Sequence, residues 1–123
     1  MVGYRMCQRH LILDILERDD VLGFIGYIRE SRLLDVYVAA IPYYQAWSCF
    51  DIVREYGGYN MAANSMLTLY VAKNMRLTEG DVCWTYRKIL QAGGRWSPRT
   101  IHLVKKYRSD DLIDWMLRHG YRQ

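Results

Sequence analysis

Three times along the chain an apolar stripe at helical spacing runs into glycine: "IVREYGG" (Ile52 to Gly58), "ILQAGG" (Ile89 to Gly94) and "MLRHG" (Met116 to Gly120). Glycine at the end of a helix supplies the left-handed residue on which a helix stops. The stops at Gly57, Gly93 and Gly120 lie 36 and 27 residues apart, bracketing a helix-pair repeat of about 33 residues. That spacing predicts successive helix–turn–helix units. Each pair has an apolar face that it cannot bury alone, so such a chain folds by stacking one pair on the next.

The terminal unit, "SPRTIHLVKKYRSDDLIDWMLRHGYR" (Ser97 to Arg122), shows the pattern most plainly. Ser97 is a good N-cap and Pro98 suits a first turn, predicting a helix through Ile101, Leu103 and Val104 to about Lys106. "SDD" (Ser109 to Asp111) then offers oxygens and negative charge to a second helix, whose stripe is Leu112, Ile113, Met116 and Leu117 and which ends at His119 and Gly120. Upstream, residues 65–96 give a helix with Ala72, a polar loop "NMRLTEGD", and a helix carrying Val82, Trp84, Tyr86, Ile89 and Leu90. Residues 33–60 give a helix with Ala39 and Ala40, a loop around Pro42, and a helix with Phe50, Ile52 and Val53. Residues 1–32 hold a weaker copy, read as an N-terminal capping helix pair. The expectation is one all-α domain over 1–123, a short solenoid of three to four stacked helix-turn-helix units. Small residues such as Ala39, Ala40 and Ala72 would let neighbouring helices approach closely.

Composition agrees with an ordered globular chain: 51% of the residues are hydrophobic, 24% are charged and only two are proline. No apolar run approaches the ~20 residues that span a bilayer, and "MVGYRMCQRH" lacks the apolar core of a signal peptide. A soluble intracellular, cytoplasmic protein that engages no membrane is expected. Cys7, Cys49 and Cys83 are too few and too far apart for a disulfide framework or zinc finger, and read as buried reduced thiols.

Within these units "TIHLV" (Thr100 to Val104) resembles the start of the first helix of an ankyrin repeat, "VYVAA" and "LYVAK" its small-residue end, and the three glycine-stopped stretches the close of its second helix. The resemblance covers residues 33–122. Ile101 to Gly120 is 19 residues, the spacing of an uninterrupted unit, whereas Val36 to Gly57 is 21 and Leu69 to Gly93 is 24. The excess falls at Ile41 to Trp47 and Met75 to Gly80, read as inserted loops. No copy keeps the full Thr-Pro-Leu-His, so regular hairpin fingers between units are not expected. The resemblance implies a binding protein whose connections and first-helix surfaces form a concave face, and it places His102 where a histidine holds neighbouring backbone. Divergent units of this kind are common in proteins of large DNA viruses, which implies a viral or effector-type adaptor.

No catalytic, metal or cofactor constellation is legible. His10, His102 and His119 are widely spaced and read as supplying no metal-ligand set; Cys7, a turn before His10, makes only a pair with it. His119 reads as a helix C-terminal charge. Asp19–Asp20 and Asp110–Asp111 fall at predicted helix starts and read as caps. The glycine pairs follow helices, whereas phosphate-cradling loops precede them, which excludes a P-loop or dinucleotide site.

What is unusual is the aromatic content, eleven Tyr and four Trp. Trp84, Tyr86 and Trp115 are expected in the core. Tyr43, Tyr44 and Trp47 fall in the first inserted loop, and Tyr59 and Trp96 lie just beyond stop glycines; Tyr, Trp and Arg dominate binding hot spots. Charge adds to this, because from Arg95 onward seven basic residues face three acids and carry the whole net charge of +4. Two partner-binding surfaces follow: Tyr59, Arg95, Trp96, Arg99, Lys105 and Lys106, and separately Tyr43, Tyr44 and Trp47. The expected function is non-catalytic binding of a partner protein, with no small-molecule substrate. The alternative is a nucleic-acid-binding module using Arg95, Arg99, Lys105, Lys106 and Arg108, with Trp96 or Tyr107 stacking on bases.

Overall fold

A computed structural model describes residues 11–56 and 58–122, and these are all-helical, with no strand among them. The chain forms two compact units, one up to Tyr59 and one from Asn60 onward.

The first unit opens with α1 (11–17), whose Ile12, Ile15 and Leu16 are buried at the i, i+3, i+4 spacing of one helical face. It stops on Asp19, a left-handed residue at φ 50°, with the Asp20 amide reaching back to the Ile15 carbonyl at 2.9 Å. Asp20 caps α2 (Val21–Glu30) by accepting from the Gly23 amide at 3.0 Å. A Cβ on Gly23 would sit 2.5 Å from that carboxylate, so the cap requires glycine there. Asp19 does something the sequence did not suggest. Its carboxylate accepts from the Ser48 and Cys49 amides at 3.2 and 3.0 Å, at the start of α4 (Trp47–Glu55), where the N-cap residue Ala46 has no side chain able to do so.

Between them runs α3 (Asp35–Tyr44), in which Val38 to Pro42 are buried without interruption. Here the expected loop at Ile41 to Trp47 is corrected. Pro42 lies inside α3, seven residues past its start, where it forgoes the amide bond that another residue would make to the Val38 carbonyl; the helix runs on to Tyr44 without it. The connection to α4 shrinks to Gln45 and Ala46. Gln45 adopts φ 60°, its side-chain amide donates to the Pro42 carbonyl at 2.6 Å, and the Ala46 amide reaches Ile41 at 3.0 Å. The helices α2 and α3 both pack on α4, burying Phe24, Phe50 and Val53.

The second unit begins with a 3-10 turn (Met61–Ala63) and a short α5 (Leu67–Val71). Thr78 and Asp81 close a capping box at the start of α6 (Glu79–Gln91), each side chain accepting from the other's amide, so Glu79 and Gly80, expected in a loop, lie in the first turn of the helix that this box opens. Two helices complete the unit, α7 (Thr100–Tyr107) and α8 (Asp110–Arg118). Helix α5 packs on α6, α7 on α8, α5 on α7 and α6 on α8, so one hairpin lies against the next, first helix to first and second to second.

Ser97 is not the helix cap that the sequence suggested. It is buried, its amide donates to the Thr68 hydroxyl at 3.1 Å, and α7 starts three residues later. Ser109 does precede α8, yet its amide and hydroxyl both go to the Glu79 carboxylate, at 2.8 and 2.7 Å.

Gly93 and Gly120 stop α6 and α8 at φ 91° and 93°. Gly94, which follows the α6 stop, has its own reason: a Cβ there would lie 2.6 Å from Ile89 Cγ2 and 2.9 Å from the Ile89 carbonyl. The third stop, Gly57, lies outside the described residues, as do Cys7 and His10. Gly93→Val is expected to cost about 2 kcal/mol, because a β-branched residue is strained in the left-handed region. Gly93→Asn should lose about half as much. Urea unfolding of the two variants checks this, and equal stability to wild type would remove the assigned stop.

Candidate functional site

The sites expected from sequence fall on three pieces of surface. In the first unit Tyr43 and Tyr44 are half-buried in the last turn of α3, edge to face at 5.0 Å. Trp47 opens α4, packed edge to face on Phe50 at 5.3 Å with its indole N–H directed to Gln45 at 3.4 Å. The hydroxyl of Tyr59 donates to the Asp35 carboxylate at 2.6 Å, tying the end of the unit to the start of α3. These aromatics are partly turned inward, which follows from Pro42 being helical.

In the second unit Trp96 is a packing residue. Its ring meets Tyr86 at 4.8 Å, Tyr121 at 5.9 Å and Trp115 at 6.4 Å, each edge to face, and its indole N–H donates to the His119 carbonyl at 3.0 Å. Tyr86 is fully buried, and its hydroxyl donates to the Thr68 carbonyl; burial raises its pKa. His119 stacks on Trp115 at 3.9 Å. The cluster therefore ties α6, α8 and the residues after each together. Of the three aromatics assigned to the core, Tyr86 is buried and Trp115 half-buried, whereas Trp84 stands 44% exposed on α6 with Lys88 over its ring. Its position one residue before two buried ones, Thr85 and Tyr86, turns it outward.

Arg108 is likewise committed to the fold. Its guanidinium donates to the carbonyls of Ala72 at 3.1 Å, Leu77 at 2.7 Å and Asn74. Three carbonyls of the 73–78 connection and the end of α5 thus converge on one planar donor, that of Asn74 also accepting from the Leu77 amide at 3.1 Å, a geometry suited to arginine and not to lysine. Together with Ser109 on Glu79, the corner between α7 and α8 clasps the preceding hairpin.

What remains on the surface is basic. Arg95, Arg99, His102, Lys105 and Lys106 are all exposed, and among the described residues none of them lies within ion-pair distance of a carboxylate; the ion pairs seen are Arg18–Asp14 and Arg54–Asp51. Arg99, His102, Lys105 and Lys106 project within about a third of the helix circumference, opposite the buried Thr100 and Val104. His102 is a surface residue. The buried polar role in this helix is taken by Thr100, whose hydroxyl shares a 2.7 Å hydrogen bond with that of Thr68.

For chemistry the arrangement offers little. Burial and the Asp19 carboxylate push the Cys49 thiol up to about 12, so it stays protonated at neutral pH. Cys83 is raised too, by burial and then by Glu79. No group of three His, Cys, Asp or Glu residues among those described is placed to hold a metal. A groove of about 950 Å³ along α1 and α2 carries Asp14, Glu17, Asp20 and Glu30 on its walls, with no histidine or thiol among its described lining. No helix of the described residues is long and apolar enough to cross a membrane.

Two carboxylates carry pH dependence. Hydrogen bonds from Ser109 hold Glu79 below its usual pKa. Burial pushes Asp19 up, but the bonds from Cys49 and Ser48 more than reverse it, leaving it lowered. Groups depressed on folding stabilise above their ordinary pKa, about 4, and lose that contribution as pH falls through the folded values. Urea midpoints should therefore drop below about pH 4, and the drop should be smaller in Glu79→Gln. An unchanged acid limb in that variant would remove Glu79 from the explanation.

No family model matches the chain, and no curated protein or solved structure is significantly similar to it.

Proposed function

We propose that the chain is a non-catalytic protein-interaction module built of divergent ankyrin-like helix pairs, acting as an adaptor, an inhibitor or a subunit of an assembly. The observation that supports it best is the pairing of Thr68 with Thr100. The two residues are 32 apart, each follows a Ser-x-x spacer from Ser65 or Ser97, and each is fully buried on the first helix of its hairpin. Their shared hydrogen bond joins matching positions of successive hairpins, as expected when one supersecondary unit stacks on its copy. In a short stack of this kind function resides in the surface that the stack presents. A divergent viral-type ankyrin protein, which the sequence resembles in pattern, would use it to hold a partner protein in the cytoplasm.

Nucleic-acid binding is the second reading, favoured by the exposed cations of α7. Two of its expected residues are otherwise engaged, Arg108 on three backbone carbonyls and Trp96 in its aromatic cluster. The test is affinity purification from cell extract, with and without nuclease, comparing wild type with an Arg95→Ala, Arg99→Ala, Lys105→Ala, Lys106→Ala variant. A protein recovered from wild type, lost with the variant and unaffected by nuclease supports the module. Recovery abolished by nuclease moves the assignment to nucleic acid.

A further inference from the structure

We propose that α7, with the connection leading into it, is a docking stripe for a carboxylate-rich segment of the partner protein. This rests on the interaction-module reading and specifies the chemistry of what is held.

Four observations converge on the stripe. Arg99, His102 and Lys106 recur at i, i+3 and i+7, with Lys105 beside them and Arg95 just before the helix, and all five are exposed. Nothing acidic among the described residues pairs with them, although three aspartates follow close behind: Asp110 and Asp111 are spent in the first turn of α8, and Asp114 lies further along it. The remaining cation of the segment, Arg108, is turned into the fold, so the cations left outside form a surface and not a by-product of the clasp. The aromatics that would stack on bases are occupied: Trp96 is locked by three rings and a hydrogen bond, and Tyr107 lies against Lys106. A surface of charge without free stacking faces suits carboxylates better than a single strand, whose sequence-tolerant affinity leans on base–aromatic contact.

Geometry sets the length of the occupant. Arg99 to Lys106 spans about 10 Å of helix, the reach of roughly three extended residues. Alternate residues of an extended strand face the same way, so acids at every second position would meet successive cations. Arg95 extends the stripe toward a fourth contact.

The probe is a fluorescein-labelled peptide of about ten residues alternating Glu and Ser, compared with the Gln/Ser version and with an oligothymidylate of equal charge. Anisotropy should show binding of the Glu peptide, none of the Gln peptide, and a loss of about tenfold as salt rises from about 50 to about 300 mM. Lys105→Glu combined with Lys106→Glu should weaken it by at least about tenfold, with the circular dichroism of wild type. Arg29→Glu with Arg32→Glu, exposed cations of the first unit, should leave it unchanged. Backbone amide shifts on adding peptide should concentrate at residues 95–106. Absence of binding, shifts confined to other residues, or tighter binding of the oligothymidylate through the same residues would each overturn the stripe. A partner protein still recovered by the Lys105→Glu, Lys106→Glu variant would leave the interaction-module reading standing and remove this surface alone.

Discussion

Replacing Arg108 by alanine is expected to lower the unfolding free energy of the second unit by about 3 kcal/mol. The side chain makes three hydrogen bonds, to the carbonyls of Ala72, Asn74 and Leu77. Each charge-assisted bond contributes of the order of 1.5–3 kcal/mol before relaxation, and water will re-satisfy part of what is lost at this half-buried corner. Arg108→Lys should recover little, because a single ammonium cannot present a planar fork to carbonyls that converge from three positions. Two measurements check this: urea unfolding of both variants, and amide hydrogen exchange, in which residues 73–78 should lose protection ahead of α6. An alanine variant within 0.5 kcal/mol of wild type, roughly the scatter of neutral surface changes, would sink the clasp as a determinant of the fold.

The second large effect concerns a residue that the sequence assigned to binding. Trp96→Ala should cost about 3 kcal/mol, at the low end of the roughly 3–5 kcal/mol range of fully buried aromatics because the ring is half-buried. It removes edge contacts to Tyr86, Trp115 and Tyr121 and leaves the His119 carbonyl without its indole donor. Trp96→Phe keeps ring packing and should lose roughly 1–1.5 kcal/mol, the part carried by the hydrogen bond and the lost ring. Thermal unfolding followed by near-ultraviolet circular dichroism separates the alternatives. A Trp96→Ala protein that melts with wild type yet loses its partner would restore the binding role.

Two stops and one start were legible because each depends on one residue's own chemistry. Gly93 and Gly120 adopt the left-handed region that few side chains tolerate, and Asp20 caps α2 by accepting from the Gly23 amide. The all-helical class followed from the spacing of apolar residues such as Leu112, Ile113, Met116 and Leu117. Pro42 misled, since a proline past the first turn weakens a helix without always ending it: α3 forgoes one amide bond there and still runs two residues further, to Tyr44. The side chains that join one hairpin to the next were not legible. Asp19 reaches amides 29 and 30 residues away, and Arg108 reaches carbonyls 31 to 36 residues back. Backbone acceptors leave no mark on the residue that owns them, so no pattern around Ala72 or Leu77 announces an arginine partner. The packing of Trp96 was not legible for a related reason: beyond a helix stop, sequence position alone does not say whether an aromatic folds back on its own hairpin.

The clasp by Arg108 holds the 73–78 connection through its main chain and asks nothing of the exposed side chains at Lys73, Met75 and Arg76. Shape and identity are thereby uncoupled in that segment. Lineages of this protein, or a library built on it, can exchange those three residues freely while the backbone that displays them stays in place, which makes the connection a site where new specificity can be explored without first being rescued by compensating changes elsewhere.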